Sequence, residues 1–171
     1  MKILLVYPNA DERVSGYNDL AAIAEPIALE YVGAVATKAG HDVQLLDLRL
    51  HKNELIPTLR QLQPDLVGVT AYTQHVLRAL EICRVAKKIV PTCTTVCGGH
   101  HATLEPRDFL EPEVDLVVQG EGTVPFASIL DKLSEGASCR GVAGVWAKNE
   151  DADSTTSGPS QFTLGSEPQP F

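Results

Sequence analysis

Cys93-Thr94-Thr95-Val96-Cys97-Gly98-Gly99-His100-His101-Ala102-Thr103 passes from an apolar β-type segment straight into two glycines and lies just before a helical segment. Adjacent glycines at a strand end let the backbone approach a ligand more closely than any side chain permits. In a parallel α/β sheet, ligands bind at that carboxyl end of the strands. The stretch therefore predicts a strand–turn–helix unit with a binding edge, provided the flanking sequence builds a parallel sheet.

It does so on both sides. Upstream, Lys2–Tyr7 reads as strand one, and Pro26–Ala39 as helix one, with proline in the first turn and Gly40 as the stop. Ile27, Tyr31, Ala34 and Val35 recur at helical spacing. Asp42–Leu48 is strand two, Glu54–Leu62 helix two with Pro57 near its start, and Asp65–Ala71 strand three. His75–Val90 is helix three, stopped by Pro91, and Thr92–Cys97 is strand four. Downstream come a short helix near Glu105–Leu110, strand five at Val114–Gln119, helix five at Val124–Leu133, and Val142–Ala147 as an extra edge strand. Such β-α alternation predicts an α/β, flavodoxin-like, doubly wound sheet of five parallel strands in the order 2-1-3-4-5, a Rossmann-like three-layer sandwich.

The chain has 171 residues, enough for one buried core, with 44% hydrophobic but only 5% aromatic residues. An aliphatic core suits strands covered on both faces. The net charge of −8 argues against nucleic acid or an anionic membrane as partner. No apolar run is long enough to span a bilayer and the N-terminus lacks a cleavable signal, so a cytoplasmic location is expected. From Asn149 onward the chain turns polar and aperiodic, so residues 1–147 are expected to form the domain and 148–171 a linker or tail.

Cys93 and Cys97 frame a C-x-x-x-C spacing, but both sit in or beside an apolar run with no further ligands at zinc or cluster spacing. They read as small core hydrophobes, and Cys83 and Cys139 are not expected to form disulfides in a reducing compartment.

Four loops should gather at the carboxyl edge. They carry Tyr7, Asn9 and a stretch of about 17 residues before helix one, longer than most βα loops; then Thr70, Tyr72 and Thr73; then Gly98, Gly99, His100 and His101; then Gln119, Gly120 and Glu121. Small and hydroxyl-bearing groups suit a broad ligand approached by backbone. G-x-G-x-x-G after strand one and the P-loop pattern are both missing, which counts against a dinucleotide and a P-loop NTPase. Strand one also lacks the acidic pair of a phospho-receiver and the hydroxyl-rich phosphate cradle of flavodoxin. No nucleophile–base pair or carboxylate pair stands out.

Several segments, in order, resemble the cobalamin (vitamin B12)-binding domain at the N-terminus of cobalamin-dependent radical S-adenosylmethionine enzymes, of the hopanoid methylase and anaerobic Mg-protoporphyrin monomethyl ester cyclase type. Glu25–Val32 is similar to that family's Pro-x-x-Leu-x-Tyr helix start, and Lys38–Val43 to its Ala-Gly-His turn. Pro64–Thr70 resembles its third strand, Gly98–Thr103 its Gly-Gly-x-His-x-Thr signature, and Val114–Gly122 its Val-Asp-x-Val-x-x-Gly-Glu-Gly signature. The resemblance covers residues 1–147.

It implies that a corrin rests at the carboxyl edge and its nucleotide tail enters a slot beside strands one, three and four. Thr70, Tyr72, Gly98 and Gly99 would line that slot, with Gln119, Gly120 and Glu121 at its rim. It also implies a missing C-terminal radical S-adenosylmethionine domain carrying that cosubstrate and an iron–sulfur cluster. Many such domains place Asp-x-His-x-x-Gly after strand one, whose histidine ligates cobalt. Here the loop reads Asn9-Ala10-Asp11-Glu12-Arg13-Val14, without histidine. The departure predicts base-off cobalamin with no histidine ligand, its lower face open, water-bound or covered by Tyr72. The competing readings are a flavodoxin-like signalling or interaction domain that binds no corrin, and an enzyme holding another small ligand, such as a nucleotide or sugar transferase.

Overall fold

Six strands form one sheet in the order β2-β1-β3-β4-β5-β6 in a computed structural model that describes residues 1–9 and 24–148. The strands are β1 (Lys2–Tyr7), β2 (Asp42–Asp47), β3 (Leu66–Thr70), β4 (Thr94–Gly98), β5 (Leu116–Val118) and β6 (Val145–Ala147). The first five are parallel in the expected order, whereas β6 pairs antiparallel to β5. Five parallel strands thus become a mixed sheet of six. After α5 the chain turns at Val142–Val145, where the Val145 N–H bonds the Val142 carbonyl (3.0 Å), and enters the sheet edge running opposite to β5.

The helices are α1 (Ile27–Lys38), α2 (Leu55–Leu62), α3 (Val76–Ile89), α4 (His100–Leu104) and α5 (Thr123–Ser134). Expectation and structure differ most at the fourth. The α-helical turns begin at His100, directly after the glycines, and Pro106–Phe109 forms a separate 3₁₀ turn. Pro106 has no N–H to continue the ladder, so the segment breaks there. A second 3₁₀ turn, Thr73–His75, leads into α3.

Period-two alternation divides the core. Leu4, Val6, Val67, Val69, Cys97 and Val117 point to one face, under α2, α3 and Phe109. Ile3, Leu5, Leu66, Val96, Leu116 and Val118 point to the other, under α1 and α5. Cys83, Cys93, Cys97 and Cys139 are buried free thiols, and Cys83 Sγ lies 3.6 Å from Cys97 Sγ. Burial pushes the Cys93 and Cys139 thiols above their ordinary pKa. Cys97 is raised as well, by its hydrogen bond with Cys83 and by burial. These are unreactive packing groups. Among the described residues, no helix is long and apolar enough to cross a membrane.

Candidate functional site: a glycine-floored slot

The strand register explains where the sheet leaves room. Leu5, Gly68, Val96 and Leu116 lie side by side in one cross-strand row on the face under α1 and α5. One step toward the carboxyl edge, Thr70 lies beside Gly98. Leu5 Cδ2 takes up the space over Gly68, where a Cβ would stand 2.9 Å from it, so the trench in this otherwise aliphatic floor opens at Gly98. A Cβ on Gly98 would meet nothing closer than the Val118 Cβ at 3.6 Å, so the space above it is open.

Helices α1 and α5 roof the trench. The resulting slot has a volume of about 540 Å³, within the usual range for a small-molecule site. Its depth is apolar, with Leu5, Leu29, Val32, Val96 and Phe126, while Thr70, Thr103, Glu121 and Thr123 bring polar groups toward the open end. Glu121 accepts hydrogen bonds from the Thr123 backbone N–H (2.9 Å) and hydroxyl (2.7 Å), closing the first turn of α5.

Of the residues expected at the site, Thr70, Gly98, Gly99, His100, Gly120 and Glu121 line this slot. Gly99 has φ +98°, and a Cβ there would stand 2.5 Å from Thr70 Oγ1 and 2.9 Å from Ala71 N. Only glycine fits that turn.

The other expected residues lie outside the slot lining and contact other protein groups. The Tyr7 ring carries the Arg49 guanidinium 3.8 Å above it and meets His75 edge-on at 5.7 Å. Arg49 in turn binds Asp47 through paired contacts of 2.6–3.2 Å. Asn9 accepts a hydrogen bond from Arg78 (3.0 Å). Tyr72 is half exposed, with ring centroids of His75 and His100 each 5.9 Å away. His101 is buried, its Nδ1 3.1 Å from the Thr73 hydroxyl and its Nε2 2.9 Å from Asp108. Gln119 bonds the Thr103 carbonyl and the Trp146 indole, so Trp146 serves edge packing and rim support together. Residues 10–23 of the first loop and the segment from Asn149 fall outside the described residues.

Sequence reading missed the roof and the deep floor: Leu29, Val32, Phe126 and Gly68. The helix residues carry no motif. Gly68, interrupting a run of Leu, Val and Thr, was the available signal, because glycine inside a strand marks close approach.

The family model described as "B12 binding domain" matches residues 18–130. The chain is 31% identical over 150 residues to "Uncharacterized methyltransferase PH0819" of Pyrococcus horikoshii, covering 85% of this chain and 32% of that protein. It is 37% identical over 128 residues to the anaerobic magnesium-protoporphyrin IX monomethyl ester cyclase of Cereibacter sphaeroides, covering 71% and 20% respectively. Its fold matches the radical S-adenosylmethionine methyltransferase TsrM of Kitasatospora setae, solved with cobalamin and a [4Fe-4S] cluster. That match has TM-score 0.71 and 24% identity, and covers 87% of this chain and 27% of that one. The chain spans a third or less of the length of these relatives.

Proposed function

Because this chain belongs to the family of B12-binding domains, we propose that it holds cobalamin base-off, with the nucleotide tail in the slot between the sheet and helices α1 and α5. The observation that carries this reading is the apolar slot under α1 and α5 that opens at the carboxyl edge over Gly98, where a Cβ would meet nothing closer than 3.6 Å. Burial of an apolar base there is favourable at roughly 25 cal/mol per Å² of surface removed from water. Thr70, Gly98, Gly99, His100, Gly120 and Glu121 would line the tail's path. Tyr7, Asn9, Tyr72, Thr73, His101 and Gln119 would frame the mouth beneath the corrin.

Bound cobalamin supplies a cobalt centre for methyl or electron transfer, and this chain's residues hold and orient it. Support for a histidine-free lower face comes from where the histidines stand. The stretch from Pro8 to Pro26 contains none. His75 is buried behind Tyr7 and Tyr72, both ring nitrogens of His101 are engaged by Thr73 and Asp108, and His100, which lines the slot beside the Tyr72 ring, is the histidine that the test must exclude. In this reading residues 1–147 form the cobalamin module and 148–171 lead toward a radical S-adenosylmethionine domain bearing an iron–sulfur cluster. The whole enzyme would be a methyltransferase or cyclase.

The test is incubation with hydroxocobalamin, gel filtration and reduction to cob(II)alamin. Retained colour with a base-off spectrum, and an electron paramagnetic resonance signal free of nitrogen splitting, are expected. Nitrogen splitting would overturn the histidine-free reading. Loss of all colour on the column would overturn cobalamin binding and favour an interaction domain.

A further inference from the structure

The β4–β5 ladder ends at Cys97–Val117, before either strand reaches its glycine turn. Beyond that pair the two turns are linked through Thr103. Its hydroxyl accepts a hydrogen bond from the Gly120 N–H at 3.0 Å and donates one to the Gly99 carbonyl at 3.0 Å. Its own carbonyl accepts from Gln119 Nε2 at 3.1 Å, and Gln119 Oε1 accepts from the Trp146 indole N–H at 3.1 Å. Gly99 and Gly120 both have positive φ, +98° and +90°, and both line the slot with Thr103. One hydroxyl thus spans two turns that the sheet no longer holds together.

We infer that Thr103 is a positioning residue: it sets the width of the slot at its open end by tying the turn after β4 to the turn after β5. Gln119 and Trp146 anchor this tie to the edge strand β6. The inference rests on the cobalamin reading of the slot. Its physical basis is asymmetric. Without the hydroxyl, the Gly99 carbonyl still accepts from the Thr103 backbone N–H at 3.1 Å. The Gly120 N–H loses the acceptor it has, and an orphaned donor at a half-buried turn favours rearrangement toward water.

The experiment compares Thr103→Val, which keeps the shape and removes the hydroxyl, with Thr103→Ser, which keeps the hydroxyl. Hydroxocobalamin is titrated into the full chain well below each variant's unfolding midpoint, and exchange of the Gly120 amide is followed by NMR without cofactor. The valine variant is expected to bind about tenfold more weakly, the serine variant within about twofold of the unaltered chain, and Gly120 exchange to accelerate only with valine. Equal loss in both variants, or a valine variant that binds normally, overturns the inference while leaving the cobalamin reading intact. An unaltered chain that retains no cobalamin overturns both.

Discussion

Leu5 and Gly68 face each other across the β1–β3 pairing, and a methyl group on Gly68 would come within 2.9 Å of Leu5 Cδ2. Leu5 therefore leans into space that any other residue at position 68 would claim. The depth of the slot depends on that pairing, and its open end depends on Gly98, where a Cβ would meet only ordinary contact.

Gly98→Leu should fold and fail to bind. The first carbon fits, while the rest of the side chain projects into the slot. A fall in cobalamin affinity of about a hundredfold or more is expected, with stability changed by less than about 1 kcal/mol. Absorption titration and urea unfolding measure the two. Normal binding would place the ligand elsewhere.

Trp146 is the single tryptophan of the chain, and its indole N–H reaches the rim through Gln119. Cobalamin absorbs where tryptophan emits, so binding at the carboxyl edge should quench fluorescence by energy transfer, saturating at one equivalent. Binding without quenching would exclude a corrin close to Gln119.

Asp115, at the opposite end of β5, separates stability from binding. Its carboxylate accepts from the Thr95 N–H (2.8 Å) and hydroxyl (3.1 Å) and pairs with Lys87. Asp115→Ala should cost about 2 kcal/mol, since hydrogen bonds to charged groups are the stronger class. Cobalamin affinity should stay within about twofold. Chemical denaturation and titration of one preparation check both.

Stability should fall as pH drops, in two windows. His75 is 3% exposed; burial, reinforced by the positive charge of Arg49, holds its pKa below the ordinary value. Tyr7, Tyr72 and Gln74 are its other neighbours. The unfolded chain then binds a proton from about pH 6.5 downward while the folded chain resists, so stability is lost below that point. His41 acts in the same window, its pKa lowered by burial and then by the N-terminal amine. Burial by itself raises Asp47, but bonds from the Arg49 side chain and backbone outweigh it and leave the carboxyl below its usual value. Its contribution is present above about pH 4 and is lost as pH falls through the folded value. His75→Phe should flatten the dependence between pH 7 and 5, and Asp47→Asn the dependence below pH 4. Unchanged slopes in thermal melts across pH would contradict these assignments.

The parallel order of β1 to β5 was legible because aliphatic runs alternate with helical periodicity, and each run needs a covering helix. Gly98-Gly99 was legible because glycine at a strand end has a stereochemical meaning in any context. The antiparallel β6 was not, since three residues of strand propensity carry no direction. Nor was the start of α4 at His100: two histidines after two glycines have no helical periodicity of their own.

Sequence alone determined which residues reach the carboxyl edge, because strand ends and turn chemistry are local properties. It also determined the family, through motifs whose order survives without coordinates. Tertiary structure decided which of those residues share one space. Thr70, Gly98, Gly99, His100, Gly120 and Glu121 meet in the slot, while Tyr7, His101 and Gln119 turn to protein partners. A slot is a relation between surfaces distant in sequence: Gly68 on the floor and Val32 and Phe126 in the roof come together only when helices α1 and α5 pack on the sheet.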